Sequence, residues 1–249
     1  MTRRTRLDVV LVERGLFDTR AKAQAAVMAG QVLIDGRPQT KAGAPVAPDA
    51  AIELVKPCPY VSRGGLKLEP ALVHFNVDPK DRICLDVGAS TGGFTDCLLQ
   101  KGASKVYAIY VGTAQLDQKL KSDSRVVSRE RTHAKDLKPG QFDPRPTLCV
   151  IDVSFISLTQ VLPAVLPCLA PPAETLALVK PQFEVGPKLA PKGVVRDETA
   201  RQAAIEKVRA CLPALGFAAG EAFDRPSTAP KATSSSSLGS QPSLPLYSE

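Results

Sequence analysis

The sequence contains no run of eighteen or more apolar residues, which argues against a transmembrane helix. Its basic start, Met-Thr-Arg-Arg-Thr-Arg-Leu, is followed by no continuous apolar stretch, so no secretory signal is expected. The six cysteines (58, 84, 97, 149, 168 and 211) are scattered without metal-ligand spacing. His74 and His133 do not form a metal pair either, so no metal site is expected. Cys84, Cys97 and Cys149 lie in apolar runs and read as core thiols of a protein in the reducing cytoplasm. No internal repeat is present.

What is present points to a two-part chain. Its 249 residues suffice for one α/β domain of roughly 180–190 residues plus a small unit. A 44% hydrophobic content can fill a sizeable core, and a net charge of +7 suits a polyanionic partner. Residues 1–55 read as the small unit. Leu7, Val10, Leu11 and Leu16 suggest a short helix. Thr19 can cap a second helix, with Ala21, Ala25 and Met28 along one face and Gly30 as its stop. Gln31–Ile34 reads as a strand, Asp35-Gly36 as a tight turn, and Ile52 and Leu54 as an alternating strand. The prolines of Lys56-Pro-Cys-Pro-Tyr60 predict a stiff linker over 56–61.

From residue 62 to 225 the pattern is that of a doubly wound domain. A helix is expected over Gly64–Phe75. Strands are expected near 82–87, 105–111, 125–128, 147–152, 174–179 and 217–223, with helices near 92–101, 113–121, 157–168 and 197–214. Such alternation predicts a parallel sheet with helices on both faces. From Pro226 to Glu249 the chain is Ser/Pro-rich and without periodicity, and it reads as a disordered tail.

The most informative stretch is Leu85-Asp-Val-Gly-Ala-Ser-Thr-Gly-Gly-Phe-Thr-Asp-Cys-Leu-Leu99. An apolar strand runs through Asp86 into a turn carrying Gly88, Ala89, Ser90, Gly92 and Gly93, and a helix follows. This is the nucleotide-binding corner of an open α/β sheet. The spacing is not G-x-G-x-x-G, and an acid sits at the strand end, which favours S-adenosylmethionine (SAM) over a dinucleotide. Asp152 and Lys180 fall at the ends of two further strands, and carboxyl ends of neighbouring strands converge on one crevice. Glu130 and Asp136 are candidates for the adenosine side of the cofactor.

The small unit resembles an S4 RNA-binding domain through Arg6–Gly15, Thr19–Ala25 and Met28–Arg37. Its cations Arg3, Arg4, Arg6, Arg14, Arg20, Lys22 and Arg37 outnumber Asp8, Glu13, Asp18 and Asp35, and they can span RNA phosphates. Arg63 is a further RNA-contact candidate. Adding Ser62–Glu69, Gly88–Asp96, Asp152–Ser157 and Val179–Val185, the chain resembles the TlyA (haemolysin-A-like) family from about Arg6 to Asp197, and more weakly to Asp224. The resemblance implies an α/β, Rossmann-like, FtsJ-like methyltransferase domain behind an S4 domain. It also implies SAM as donor, a ribose 2′-hydroxyl of ribosomal RNA as acceptor, ribosomal subunits as partners, and no membrane. Of the family's Lys-Asp-Lys-Glu tetrad, motif match carries over Lys67, Asp152 and Lys180. Lys180 is expected as base or polariser of the hydroxyl, with Lys67 and Asp152 positioning it and the two lysines lowering each other's proton affinity.

Two departures stand out. Tyr110 occupies the place of a family acid that would grip the SAM ribose, so weaker SAM binding is expected. The family's closing segment, which supplies the last strand and the fourth residue, is replaced by Ala229–Leu238, and no glutamate follows Asp224 before Glu249. The sheet is therefore expected to lack its last strand and leave an open edge. These departures favour a second reading, a non-catalytic RNA-binding protein of ribosome assembly. A third, a membrane-active haemolysin, has no amphipathic basic helix to support it.

Overall fold

The computed structural model describes residues 4–55, 58–186, 189–191, 194–224 and 243–248. It divides into two units, Met1–Pro59 and Tyr60–Glu249. In the first, β1 (Thr5–Arg6) leads into α1 (Leu7–Glu13) and α2 (Arg20–Met28). These are followed by β2 (Val32–Ile34), β3 (Arg37–Pro38), β4 (Pro45–Val46) and β5 (Ile52–Leu54). Strands β3, β2 and β5 form one antiparallel sheet, and β1 pairs with β4. Asp35 and Gly36, both at positive φ, make the β2–β3 turn. Thr19 caps α2 by accepting from the Lys22 amide.

The buried face of α2 is not the expected one. Ala23, Ala26 and Val27 pack on Leu7, Leu11, Val32 and Val46, whereas Ala21, Ala25 and Met28 are exposed. An alanine-rich helix carries apolar residues on every side, so spacing alone could not choose between stripes.

The second unit begins earlier than the predicted linker end, because Tyr60 is buried beneath Gly65. Its elements are α3 (Gly65–His74), β6 (Ile83–Val87), α4 (Gly93–Gln100), β7 (Lys105–Ile109), α5 (Gln118–Lys121), β8 (Val126–Arg129) and β9 (Leu148–Ile151). They continue with α6 (Leu158–Val165), β10 (Glu174–Val179), α7 (Pro181–Glu184), α8 (Glu198–Cys211), β11 (Ala218–Asp224) and β12 (Ser243–Ser248). The strands form one parallel sheet of order β11-β12-β10-β9-β6-β7-β8. Alternate residues of each strand face opposite layers. Cys84 and Val150 pack under α3, α4 and α5 with Leu68, Phe94 and Leu98. Leu85 and Ile151 pack under α6 and α8 with Leu158, Leu162 and Val208. Burial on both faces explains why these strands read as continuous apolar runs.

Two further expectations are corrected. The helix predicted over 113–121 is only Gln118–Lys121. Ala114 sits at φ 55°, which an α-helix cannot accommodate, and the Asp117 side chain caps a fresh start by accepting from the Lys119 amide. The tail predicted to be disordered contains β12, inserted between β10 and β11. Leu244 and Leu246 are fully buried at period-two spacing and supply the driving force. Pro245 has no amide proton to give a neighbouring strand, and opposite it the β11 register shifts between Ala219 and Ala222. The slot expected to stand empty is thus filled. The remainder of the predicted tail, 226–242 and Glu249, lies outside the described residues.

Candidate active site

The strand order reverses between β6 and β9, where connections leave in opposite directions. Ligands bind outside the carboxyl ends of strands at such a point. A cavity of about 770 Å³ opens there, lined by Ser62, Arg63, Gly64, Leu66, Lys67, the loop through Gly88–Thr91, Gly93, Phe94 and Asp152. Backbones approach closely around it. A Cβ on Gly88, at φ 93°, would stand 2.5 Å from the Asp152 carbonyl oxygen. One on Gly93 would collide with the Ser62 hydroxyl and the Gly64–Gly65 backbone. Glycine is required at both positions for this reason. The α3 segment is pinned in place by Asp96, whose carboxylate accepts from the Val61 amide at 2.8 Å.

At the cavity edge, the Lys180 Nζ lies 2.5 Å from Asp152 Oδ1 and donates to Ser154 Oγ at 2.8 Å. Both members of the ion pair are largely buried. Beside them Phe155 is 92% exposed, at φ 64°, with its ring 5.1 Å from that of Phe183. A bulky residue at positive φ costs on the order of 1–3 kcal/mol and is typical of functional loops. Its exposure was invisible in the sequence, where Phe155 looked like any apolar residue after a strand.

Asp86 does not line the cavity. It is fully buried, and its Oδ2 accepts from the Thr95 hydroxyl at 2.6 Å, tying β6 to the first turn of α4. Burial, assisted by the negative charge of Asp152, pushes its carboxyl up to about 7 against the hydrogen bonding of Thr95. Glu130 and Asp136 are likewise outside the cavity lining; Asp136 is exposed at the end of a 3-10 turn. Glu130 is instead the partner of Tyr110. Its Oε1 accepts from the Tyr110 hydroxyl at 2.8 Å, the Ala114 amide at 3.1 Å and Lys121 Nζ at 3.2 Å. Those donors, Tyr110 foremost, hold its carboxyl below the usual range. Tyr110, standing where the family acid would be, is therefore accompanied by a carboxylate just past the end of β8.

In the small unit, buried Asp8 gathers Arg6 through two hydrogen bonds, Arg20 at 3.0 Å and Gln24 at 2.6 Å. These partners, Arg6 foremost, hold its carboxyl well below the ordinary range. The Arg6 and Arg20 side chains stay more than half exposed. Arg14 donates to the Pro48 and Ala50 carbonyls, a structural use that its charge did not suggest. Lys22 pairs with Asp18, and Arg4 and Arg37 are exposed, while Arg3 lies outside the described residues. Cys84, Cys97 and Cys149 are buried as expected, Cys168 is buried too, and burial pushes the Cys84 thiol up to about 12. Among the described residues, no group of acidic, histidine or cysteine side chains is placed to hold a metal, and no helix is long and apolar enough to cross a membrane.

Comparison with known proteins matches this geometry. Residues 60–235 match the FtsJ-like methyltransferase family, and residues 5–52 match the S4 domain. The 16S/23S rRNA (cytidine-2′-O)-methyltransferase TlyA of Mycobacterium tuberculosis is 44% identical over 220 residues, 87% of this chain and 82% of that protein. Hemolysin A of Brachyspira hyodysenteriae is 43% identical over 214 residues, 85% of this chain and 89% of that protein. A solved structure from Streptococcus thermophilus that carries the hemolysin name is 43% identical, with a TM-score of 0.64 over 86% of this chain and 79% of that one. Sheet order, glycine corner and sequence agree: the chain belongs to the FtsJ-like methyltransferase family, with an S4 domain at its N-terminal side.

Proposed function

We propose that this methyltransferase transfers a methyl group from SAM to a ribose 2′-hydroxyl of ribosomal RNA. The observation that carries the reading is the Lys180–Asp152 pair at the edge of the switch-point cavity, with Lys67 and the glycine loop on the same walls. The cavity fits the donor. The backbone of Gly88–Thr91 and Gly93 lines the cavity and can wrap its methionine end, and Asp86 keeps that loop fixed through Thr95. Glu130, held by Tyr110, suits the ribose hydroxyls of SAM. Bound there, SAM would supply a methyl already activated by its sulfonium.

The protein's own work is alignment and proton handling. Holding nucleophile and methyl in line is worth about 7–11 kcal/mol. Lys180 is paired with Asp152 and donates to Ser154, and its remaining bonding direction is left for a substrate hydroxyl. Asp152 fixes the amine, Lys180 takes the hydroxyl proton as base while the O–C bond forms and the donor's C–S bond breaks, and Lys67 adds positive charge on the same wall, favouring an oxygen that gathers negative charge. Phe155 offers an exposed ring beside this pair on which an unstacked base can lie.

In this reading residues 1–55 grip RNA through Arg4, Arg6, Arg20, Lys22 and Arg37, and residues 62–225 carry the reaction. A ribosomal substrate places the work in the cytoplasm. The test is transfer of labelled methyl from SAM to ribosomal subunits lacking the modification. The wild-type chain is expected to transfer, and Lys180→Ala to lose at least about a hundredfold in rate. No wild-type transfer, with SAM and subunits both bound, would favour the non-catalytic RNA-binding reading, to which the absence of a glutamate between Asp224 and Glu249 already points.

A further inference from the structure

Glu184 is a nearly fully buried carboxylate to which the reaction above gives no task. It accepts from the Ser157 hydroxyl at 2.5 Å and from the Leu158 amide, at the start of α6, at 2.7 Å. Half-exposed Lys207 of α8 stands 3.5 Å from its Oε2 and donates to the Glu184 carbonyl at 2.7 Å. Desolvating a carboxylate is costly, and an apolar side chain of similar volume often holds packed elements together as well. What the charged group adds is a fixed geometry, because each of its hydrogen bonds is directional.

The segment that this geometry fixes is the loop of residues 153–156. Among the described residues, none of its backbone amides donates a hydrogen bond, so its path is set at its two ends. At the near end the Asp152 amide donates to the Val87 carbonyl at 2.9 Å. At the far end Ser157 and Leu158 are tied to Glu184. Glu184 in turn closes α7, the single turn that starts directly after Lys180, where the Phe183 amide donates to the Lys180 carbonyl at 2.9 Å. The far end of the loop is thus anchored to the same turn that carries the lysine. Between the two ends, Ser154 Oγ accepts from Lys180 Nζ. Resting on the methyltransferase reading above, we infer that Glu184 is a positioning residue that holds the 153–156 loop against the lysine turn, so that Ser154 stays on the Lys180 amine. A misplacement of about 1 Å at such a contact can cost about a hundredfold in rate.

The experiment uses the full chain as wild type, Glu184→Gln, Glu184→Asp, Glu184→Ala, Ser154→Ala, and Ser154→Ala combined with Glu184→Asp. Glutamine keeps the reach: it can accept from the Leu158 amide while its own amide donates to Ser157. Aspartate keeps the charge but is shorter by one C–C bond, about 1.5 Å, so the loop end must move to meet it. Labelled-methyl transfer to unmodified ribosomal subunits gives kcat, and equilibrium dialysis gives SAM affinity and stoichiometry. Brief chymotrypsin digestion reads nicking after Phe155, the exposed aromatic of the loop. The expected kcat stays within about fivefold of wild type in Glu184→Gln and falls at least about tenfold in Glu184→Asp and Glu184→Ala, with SAM affinity and stoichiometry unchanged. The combined variant should lose less than the product of its two single losses, because both act on one contact of Lys180. Nicking after Phe155 should rise several-fold in Glu184→Asp and Glu184→Ala and stay at the wild-type rate in Glu184→Gln.

Wild-type kcat in Glu184→Asp, or Glu184→Gln as slow as Glu184→Asp, would overturn the assignment. So would a kcat loss that tracks lost SAM stoichiometry, or nicking that rises as much at buried Phe142 as at Phe155, since a merely structural role predicts both. Should the alanine chain fail to fold, the glutamine and aspartate chains decide. A wild-type chain that binds SAM and subunits without transferring methyl defeats the methyltransferase reading alone, because the nicking pattern still decides whether Glu184 anchors the loop.

Discussion

Replacing Asp86 by asparagine should change how stability depends on pH. In the folded protein Asp86 is fully buried, with Oδ2 on the Thr95 hydroxyl and no partner at Oδ1 among the described residues. Its carboxyl is pushed up to about 7 from the ordinary 3.8, first by burial and then by the charge of Asp152. The folded state therefore keeps this proton to higher pH than the unfolded chain does. Between those two values the native state binds more protons, so stability falls as pH rises, and the loss is complete above about 7. At 1.36 kcal/mol per pKa unit the loss amounts to about 4 kcal/mol. In Asp86→Asn the new side chain stays neutral at every pH and can still accept from Thr95 through its carbonyl. Its amide nitrogen would replace the unpartnered oxygen, adding a penalty of about 1–3 kcal/mol that does not vary with pH. Urea unfolding followed by far-UV circular dichroism, run in parallel from pH 4 to pH 8, reads Asp86 together with its coupling to Asp152, because titrations elsewhere cancel in the difference. The variant should gain about 4 kcal/mol relative to wild type across that range. A difference that stays flat to within about 1 kcal/mol would refute the reasoning.

Gly93→Ala should lose SAM binding while the fold persists, since the added Cβ meets the Ser62 hydroxyl and the Gly64–Gly65 backbone at the cavity wall; isothermal titration would show it, and unchanged affinity would mean that the wall can give way. Glu130→Gln should weaken SAM binding about tenfold, as a neutral acceptor replaces a charged one; unchanged affinity would place the ribose elsewhere. Asp8→Asn should loosen α2 by about 2 kcal/mol at pH 7, because Arg6, Arg20 and Gln24 lose a charged acceptor. Hydrogen exchange of α2 amides in the full chain would measure that loss. The same wild-type contribution is present above the ordinary carboxylate pKa and disappears as pH falls through the depressed value of Asp8.

Much of this protein could be read from its residues alone. Strict alternation of apolar runs with capped helices fixed a parallel sheet, because strands buried on both faces have no other composition. The glycine corner and the strand-end positions of Asp152 and Lys180 were legible because glycine demand and strand ends are local properties. The sequence could not say which stripe of α2 is buried, since alanine favours no face. Nor could it show that Ser243–Ser248 enters the sheet, because a six-residue strand beyond a Ser/Pro-rich stretch gains its energy only from the neighbours it meets. The pairings of Tyr110 with Glu130 and of Lys180 with Asp152 joined residues far apart in the chain. Sequence determined the types of element and the chemistry at their ends. Only tertiary packing, which sets distances between residues remote along the chain, decided which of those groups touch.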